Sequence, residues 1–281
     1  MNLPEPKFLP GWEARLALDY AYIDERSVLA RRVSSGPLVV QKTLYPEGEK
    51  VCHNILLHPP GGIAGGDALY IRINQGQKSH SVVTTPGAAK WYRSCGPQAV
   101  QDLHFSITDG AILEWLPLET IIFNGAQANM RTVVDLAHGA TYLGWDITCF
   151  GRTASGEKFE FGKLRQTTEL RLPGKKIWGE YVLLEGDDPM LSSPAGLAGF
   201  TVVGTLLAVG RNITAEQLAQ CREIMVDDDG RTGITTAPHV LVARYLGNSS
   251  EKAKNYFVAL WELLRPWLVG RVVCRPRIWN T

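Results

Sequence analysis

The chain has 281 residues, enough to bury a large core, and its 29 Lys and Arg balance 28 Asp and Glu, so no overall field draws it to nucleic acid or to an anionic membrane. No apolar run approaches the ~18 residues of a membrane-spanning helix, and the start, Met1-Asn2-Leu3-Pro4-Glu5-Pro6, has neither a charged nor an apolar leader region. The five cysteines (Cys52, Cys95, Cys149, Cys221, Cys274) are odd in number, widely spread and free of any C-x-x-C, which argues against a disulfide frame or a zinc site and for a cytoplasmic protein with reduced thiols.

From Trp12 to Ile73 the sequence reads as short β-type runs cut by turn signals: Ala14 to Tyr20, Ser27 to Val33, Leu38 to Thr43, Val51 to Leu57 and Leu69 to Ile73. Between Ala14 and Tyr20 alternation puts Ala14, Leu16 and Leu18 on one face, the mark of a half-buried strand. The same texture continues through Ser79 to Thr85, Ala99 to Ile107, Ile112 to Trp115, Thr120 to Phe123, Arg131 to Leu136, Thr141 to Phe150, Phe159 to Leu172 and Lys176 to Leu184. Asn124-Gly125, Ser155-Gly156 and Pro173-Gly174 supply turns between them.

Two segments carry a helical period instead. Thr214-Ala215-Glu216-Gln217 is a capping box, followed by Leu218, Cys221 and Met225 at helical spacing. Further on, Ser249 or Ser250 can cap a longer helix with a stripe of Ala253, Phe257, Leu260 and Leu264; Pro266 is expected to kink or restart it and Gly270 to end it. The apolar and basic tail from Val272 to Trp279 is expected to dock. With no glycine/serine linker and no fixed-period repeat, residues 1–281 read as one domain. The expected fold is mainly β: a single large irregular body, β-helical or sandwich-like, with two peripheral α-helices near the C-terminus.

The most distinctive stretch is His58-Pro59-Pro60-Gly61-Gly62-Ile63-Ala64-Gly65-Gly66-Asp67, set between two strands. Prolines stiffen its start and glycines permit positive φ or close backbone approach. It is not a phosphate cradle: where a P-loop needs Lys and then Ser/Thr, this loop places Asp67, whose carboxylate repels phosphate. A glycine-rich corner in which Asp67 accepts backbone N–H groups is the structural reading.

Hydrolase and zinc-protease motifs are absent, and Asp227-Asp228-Asp229-Gly230 fails as an EF-hand because Arg231 stands at a ligand position. Cys52, His53 and His58 offer soft-metal ligands, but neighbours on a strand point to opposite faces. Carboxylates written into apolar strands are more informative. Alternation puts Asp146 on the face of Gly144 and Thr148, opposite Trp145 and Ile147, and Glu180 on the face of Trp178, Val182 and Leu184. Such a carboxylate must be paired, protonated, hydrated or bound to a metal. Pairing with Arg is one reading. The other is a wet internal passage lined by Asp67, Asp146 and Glu180, whose hard oxygens hold a divalent cation loosely.

Several stretches together resemble the UreD (also UreH) family of urease accessory proteins: Gly36-Pro37-Leu38-Val39-Val40-Gln41 with Tyr45-Pro46-Glu47, Cys52-His53 through Asp67, Thr85-Pro86-Gly87-Ala88-Ala89-Lys90-Trp91-Tyr92-Arg93-Ser94, Leu113 through Ile121, Gly144-Trp145-Asp146, Gly151-Arg152 and Pro276-Arg277-Ile278-Trp279. The resemblance spans nearly the whole chain. It implies a helix-poor β fold and a scaffold for GTP-dependent nickel insertion into apo-urease, not an enzyme and without a cofactor of its own. Its implied partners are accessory protein F, the nickel-carrying GTPase accessory protein G and apo-urease. It also implies nickel transit through an internal channel, for which Asp67 and Asp146 lie in matching motifs while Glu180 lies in a weakly matching region. The rival reading is a cytoplasmic β-sandwich that binds a glycan or peptide on Trp91, Tyr92 and Trp115.

Overall fold

The chain winds between two facing sheets, and its sequence texture follows from which sheet faces meet water. A computed structural model describes residues 11–227 and 229–280; the start at 1–6, read above as no leader, and Asp228 lie outside the described residues. The strands are β1 (Glu13–Ile23), β2 (Arg26–Ser35), β3 (Val39–Val40), β4 (Cys52–Leu57), β5 (Ala68–Gln75), β6 (His80–Thr84), β7 (Ala89–Trp91), β8 (Ala99–Ile107) and β9 (Ile112–Leu116). They continue as β10 (Thr120–Ile122), β11 (Gln127–Leu136), β12 (Thr141–Phe150), β13 (Lys163–Leu172), β14 (Lys175–Glu185), β15 (Val202–Val209), β16 (Arg231–Ala237) and β17 (Val240–Gly247). The helices are α1 (Ala215–Arg222) and α2 (Ser250–Val269).

The narrower sheet has the order β14-β13-β11-β8-β5-β1-β2. The wider one runs β16-β17-β15-β12-β9-β6-β4-β3, with β10 and β7 added beside β12. From β4 to β13 successive long strands alternate between the sheets and pair in parallel within each: β4, β6, β9 and β12 in one, β5, β8, β11 and β13 in the other. This is a two-sheet solenoid, extended by antiparallel strands on the flanks. The β-helical expectation is met.

Burial explains the two textures. The narrower sheet faces solvent on one side, so β1 alternates, with Ala14, Leu16, Leu18 and Tyr20 buried. The wider sheet is covered on both sides. Leu113, Trp115 and Tyr142 face the other sheet, while Leu116, Leu143, Trp145 and Ile147 lie under α2. All five residues of β6 are accordingly buried, and no alternation survives there.

Ser249 is the cap of α2, accepting from Lys252 N at 3.2 Å, and Gly270 ends the helix at φ 74°. Phe257, Leu260, Trp261 and Leu264 are buried against the sheet. Trp279 closes the tail over it, against Trp145 and Trp261, donating from Nε1 to Thr84 Oγ1 at 2.8 Å.

Several local expectations are corrected. Of the kink or restart expected at Pro266, the restart does not occur; the helix runs through to Val269, held by the packing of its apolar stripe. Met225 lies beyond α1 and is 82% exposed, so the stripe there reduces to Cys221 with Leu218 partly buried, although the capping box at Thr214 and Gln217 forms. Trp91 and Trp115 are core residues, so of the three aromatics read as stacking platforms only Tyr92 reaches the surface. The run from Leu38 to Thr43 shortens to β3, and the run from Phe159 begins as a strand at Lys163. No helix among the described residues is long and apolar enough to cross a membrane.

Candidate functional site: an intersheet cavity and its carboxylates

The loop from His58 to Asp67 is fixed by its last residue. Asp67 Oδ1 accepts from Trp12 N and Oδ2 from Ala64 N, each at 2.8 Å, while Asp67 N donates to Ala64 O at 3.0 Å. The carboxylate thus closes an Asx-type turn and ties the loop to the head of β1. The loop's glycines answer to backbone conformation and to space. Gly66 sits at φ +96°, and a Cβ on Gly62 would stand 2.2 Å from the Tyr92 ring.

This loop and the one from Thr85 to Lys90 form one end of a cavity of about 350 Å³ between the sheets. Its walls are mostly apolar, among them Leu38, Ile71, Leu103, Trp115 and Met130. His58 lines the loop end, where burial lowers its pKa against the opposing pull of Asp67, so the imidazole is neutral at pH 7.

At the inner end stand Asp146 and Gln166. Asp146 projects between the sheets because β12 puts Trp145 and Ile147 under α2 instead. Gln166 Nε2 reaches across from β13 and donates to Asp146 Oδ1 at 3.1 Å. Burial, then the nearby Glu180 carboxylate, push the Asp146 pKa up to about 7, with Gln166 and Arg244 pulling the other way. Two residues along the same strand face, the buried Thr148 hydroxyl has no hydrogen-bond partner among the described residues.

Asp146 and Glu180 are therefore brought together, across the two sheets. Asp67 stands apart at the loop end, with both oxygens on backbone N–H groups, and does not line the cavity. Among the described residues no three His, Cys, Asp or Glu side chains form a group able to hold a metal ion. Cys52 faces the intersheet core while His53 turns to the other side, bonded to Glu47 at 2.6 Å, as strand alternation demands.

A second buried polar system was not read from the sequence. Arg265 of α2 is 0% exposed. Its Nε lies 3.0 Å from both oxygens of Glu114, which is also 0% exposed; Nη2 donates to Glu47 Oε1 at 2.7 Å, and Nη1 to Val272 O. His80 Nε2 and Trp261 Nε1 also donate to Glu114. Burial opposes both carboxylate charges, but the hydrogen bonds from His53 and Arg265 hold Glu47 down at about 2, and His80 with Arg265 and Trp261 lowers Glu114. The signal was available: Glu114 lies between apolar strand residues as Asp146 does, and Arg265 interrupts the stripe of α2.

The architecture is that of a β-solenoid with a helical cover, an internal cavity and a carboxylate at its inner end. The profile of the UreD urease accessory protein family matches residues 13–280. A urease accessory protein UreD of Dechloromonas aromatica is 50% identical over 284 residues, covering 100% of this chain and 99% of its own. Those of Nitrosococcus oceani (49% over 271 residues, 96% of this chain and 91% of its own) and Methylobacillus flagellatus (45% over 270 residues, 96% and 95%) are similar throughout. The chain belongs to the UreD family, whose members are accessory proteins of urease maturation.

Proposed function

We propose that the protein is a non-catalytic scaffold for the GTP-dependent insertion of nickel into apo-urease, assembling with accessory protein F, the nickel-carrying GTPase accessory protein G and apo-urease, and that the intersheet cavity is part of the path nickel takes. The observation that carries this reading is a cavity between the sheets that ends on Asp146, with Glu180 beside it. A relay must attract a cation enough to admit it and release it to the next point. Apolar walls with isolated oxygen ligands suit that better than a thiolate and imidazole cluster.

In this reading Asp146 and Glu180 are the contact points for the ion, and Asp67 acts through the loop end of the cavity, whose shape it fixes. The test is co-expression with the urease cluster, measuring urease activity and bound nickel beside pull-down of the complex and a melting curve. Asp146→Asn or Glu180→Gln is expected to reduce activation while leaving the fold and the complex intact. Full activation by the double variant would refute the carboxylate path.

A further inference from the structure

Next to Asp146 an ion pair spans the two sheets. Arg244 on β17 reaches across to Glu180 on β14, and the same nitrogen, Nη1, donates to Thr205 Oγ1 at 2.7 Å. Asp146, Thr205 and Arg244 stand in one register row across β12, β15 and β17. Glu180 and Arg244 keep 23% and 39% of their side-chain surface exposed, and Glu180 borders an open depression shared with Lys176, Tyr181 and Ala237. The pair therefore stands at the flank of the two sheets, between Asp146 and solvent.

We propose that Arg244 is the gate of this route: its guanidinium, bound to Glu180, closes the flank to cations, and its withdrawal lets Asp146 and Glu180 face a divalent cation together. The inference rests on the reading of the cavity as a nickel path. With the guanidinium in place, a dication at Asp146 meets a fixed positive charge in the same row, and the second carboxylate is already bonded. Both bonds are made by one nitrogen, so the guanidinium can leave by turning about a single anchor. Its centre already lies over the ring of Trp178 at 5.9 Å, on the strand face of Glu180, a contact that turning about the side chain can keep while the bonds of Nη1 are released. The Trp178 indole N–H and the Thr148 hydroxyl are buried without partners among the described residues, on the two strands that flank this cluster, polar groups available to the water shell of a passing ion.

The test uses the purified full chain and nickel(II) chloride, read by equilibrium dialysis and calorimetry with a melting curve for each variant. Arg244→Gln is expected to bind nickel about tenfold or more tightly than the wild type, because one opposing charge is removed beside two carboxylates. Adding Asp146→Asn to it should abolish the gain. Arg244→Lys, which keeps the charge but cannot hold both Glu180 and Thr205 with the same geometry, should fall between. A folded Arg244→Gln with wild-type affinity would overturn the gate, as would a gain that survives Asp146→Asn. If Arg244→Gln fails to fold, a folded Arg244→Lys without any gain overturns it equally. The nickel path fails separately, by full urease activation with Asp146→Asn and Glu180→Gln, whatever the affinity of Arg244→Gln.

Discussion

Arg265→Met should be the most damaging single change in the helical cover. The guanidinium bonds Glu114, Glu47 and the Val272 carbonyl, and it is fully buried, so truncation leaves two carboxylates facing an apolar side chain. Breaking a buried pair from one side costs about 3–5 kcal/mol, against a total stability of roughly 5–15 kcal/mol for a domain. His80 and Trp261 still satisfy Glu114, which places the expected loss near the lower figure, about 3 kcal/mol. The midpoint of thermal unfolding, followed by circular dichroism, should then fall by roughly 5 °C for a chain of this size. The discriminating variant is Arg265→Met with Glu114→Gln, which removes the unpaired charge as well. It should recover part of the loss, a favourable coupling of about 1 kcal/mol or more between residues in direct contact. A cost below about 1 kcal/mol for Arg265→Met, or strict additivity in the double variant, would refute the claim that this network pins α2 to the sheet.

The Asp146 carboxyl has its pKa raised from 3.8 in the unfolded chain to about 7 in the fold, so its contribution is full below pH 3.8 and is lost as pH rises through 7. Asp146→Asn should flatten the stability profile between those values and exceed the wild type at pH 8, by on the order of 2–4 kcal/mol, in urea titrations at fixed salt. Glu47, held at about 2 against 4.5 unfolded, acts in the opposite sense: its stabilisation is present above pH 4.5 and is lost as pH falls toward 2, and Glu47→Gln should remove that acid limb. Gly66→Ala, at φ +96°, should cost about 1–3 kcal/mol by the same melts, a strain that Gly87→Ala, with open space around its Cα, should not impose. Calorimetry of the pure protein with GTP and Mg²⁺ should give no binding heat, since the loop from His58 to Asp67 offers phosphate neither a lysine nor a helix N-terminus.

What the sequence made legible tracks which interactions are local. Alternation in β1 and the inward direction of Asp146 follow from a period of two and one buried face, and both can be read from a few neighbours. The cap at Ser249 and the stop at Gly270 are equally local. The parallel pairing of β4, β6, β9 and β12 is not, because each partner lies a full winding away and no turn residue marks it. The same limit hid the Arg265 network, whose members lie up to 218 residues apart in sequence. The restart that Pro266 suggested fails for a related reason. Propensity argues for a break, while the buried stripe of Phe257, Trp261 and Leu264 keeps the helix on the sheet.

A buried carboxylate in a strand does not by itself mark a route for ions; its donors do. Glu114 accepts from His80, Trp261 and Arg265, and Asp67 from two backbone N–H groups, so a cation at either would have to displace existing bonds. Asp146 accepts from Gln166 alone among the described residues, beside a hydroxyl that has no partner, at the inner end of a cavity. Leaving a buried polar group short of partners costs about 1–3 kcal/mol, a stability loss that packing around it must offset. An oxygen kept in that state has free coordination capacity that a fully bonded carboxylate lacks. On that ground Asp146 is the residue on which the proposed nickel path depends, Glu180 joins it only when Arg244 lets go, and Asp67 supports the path from outside it.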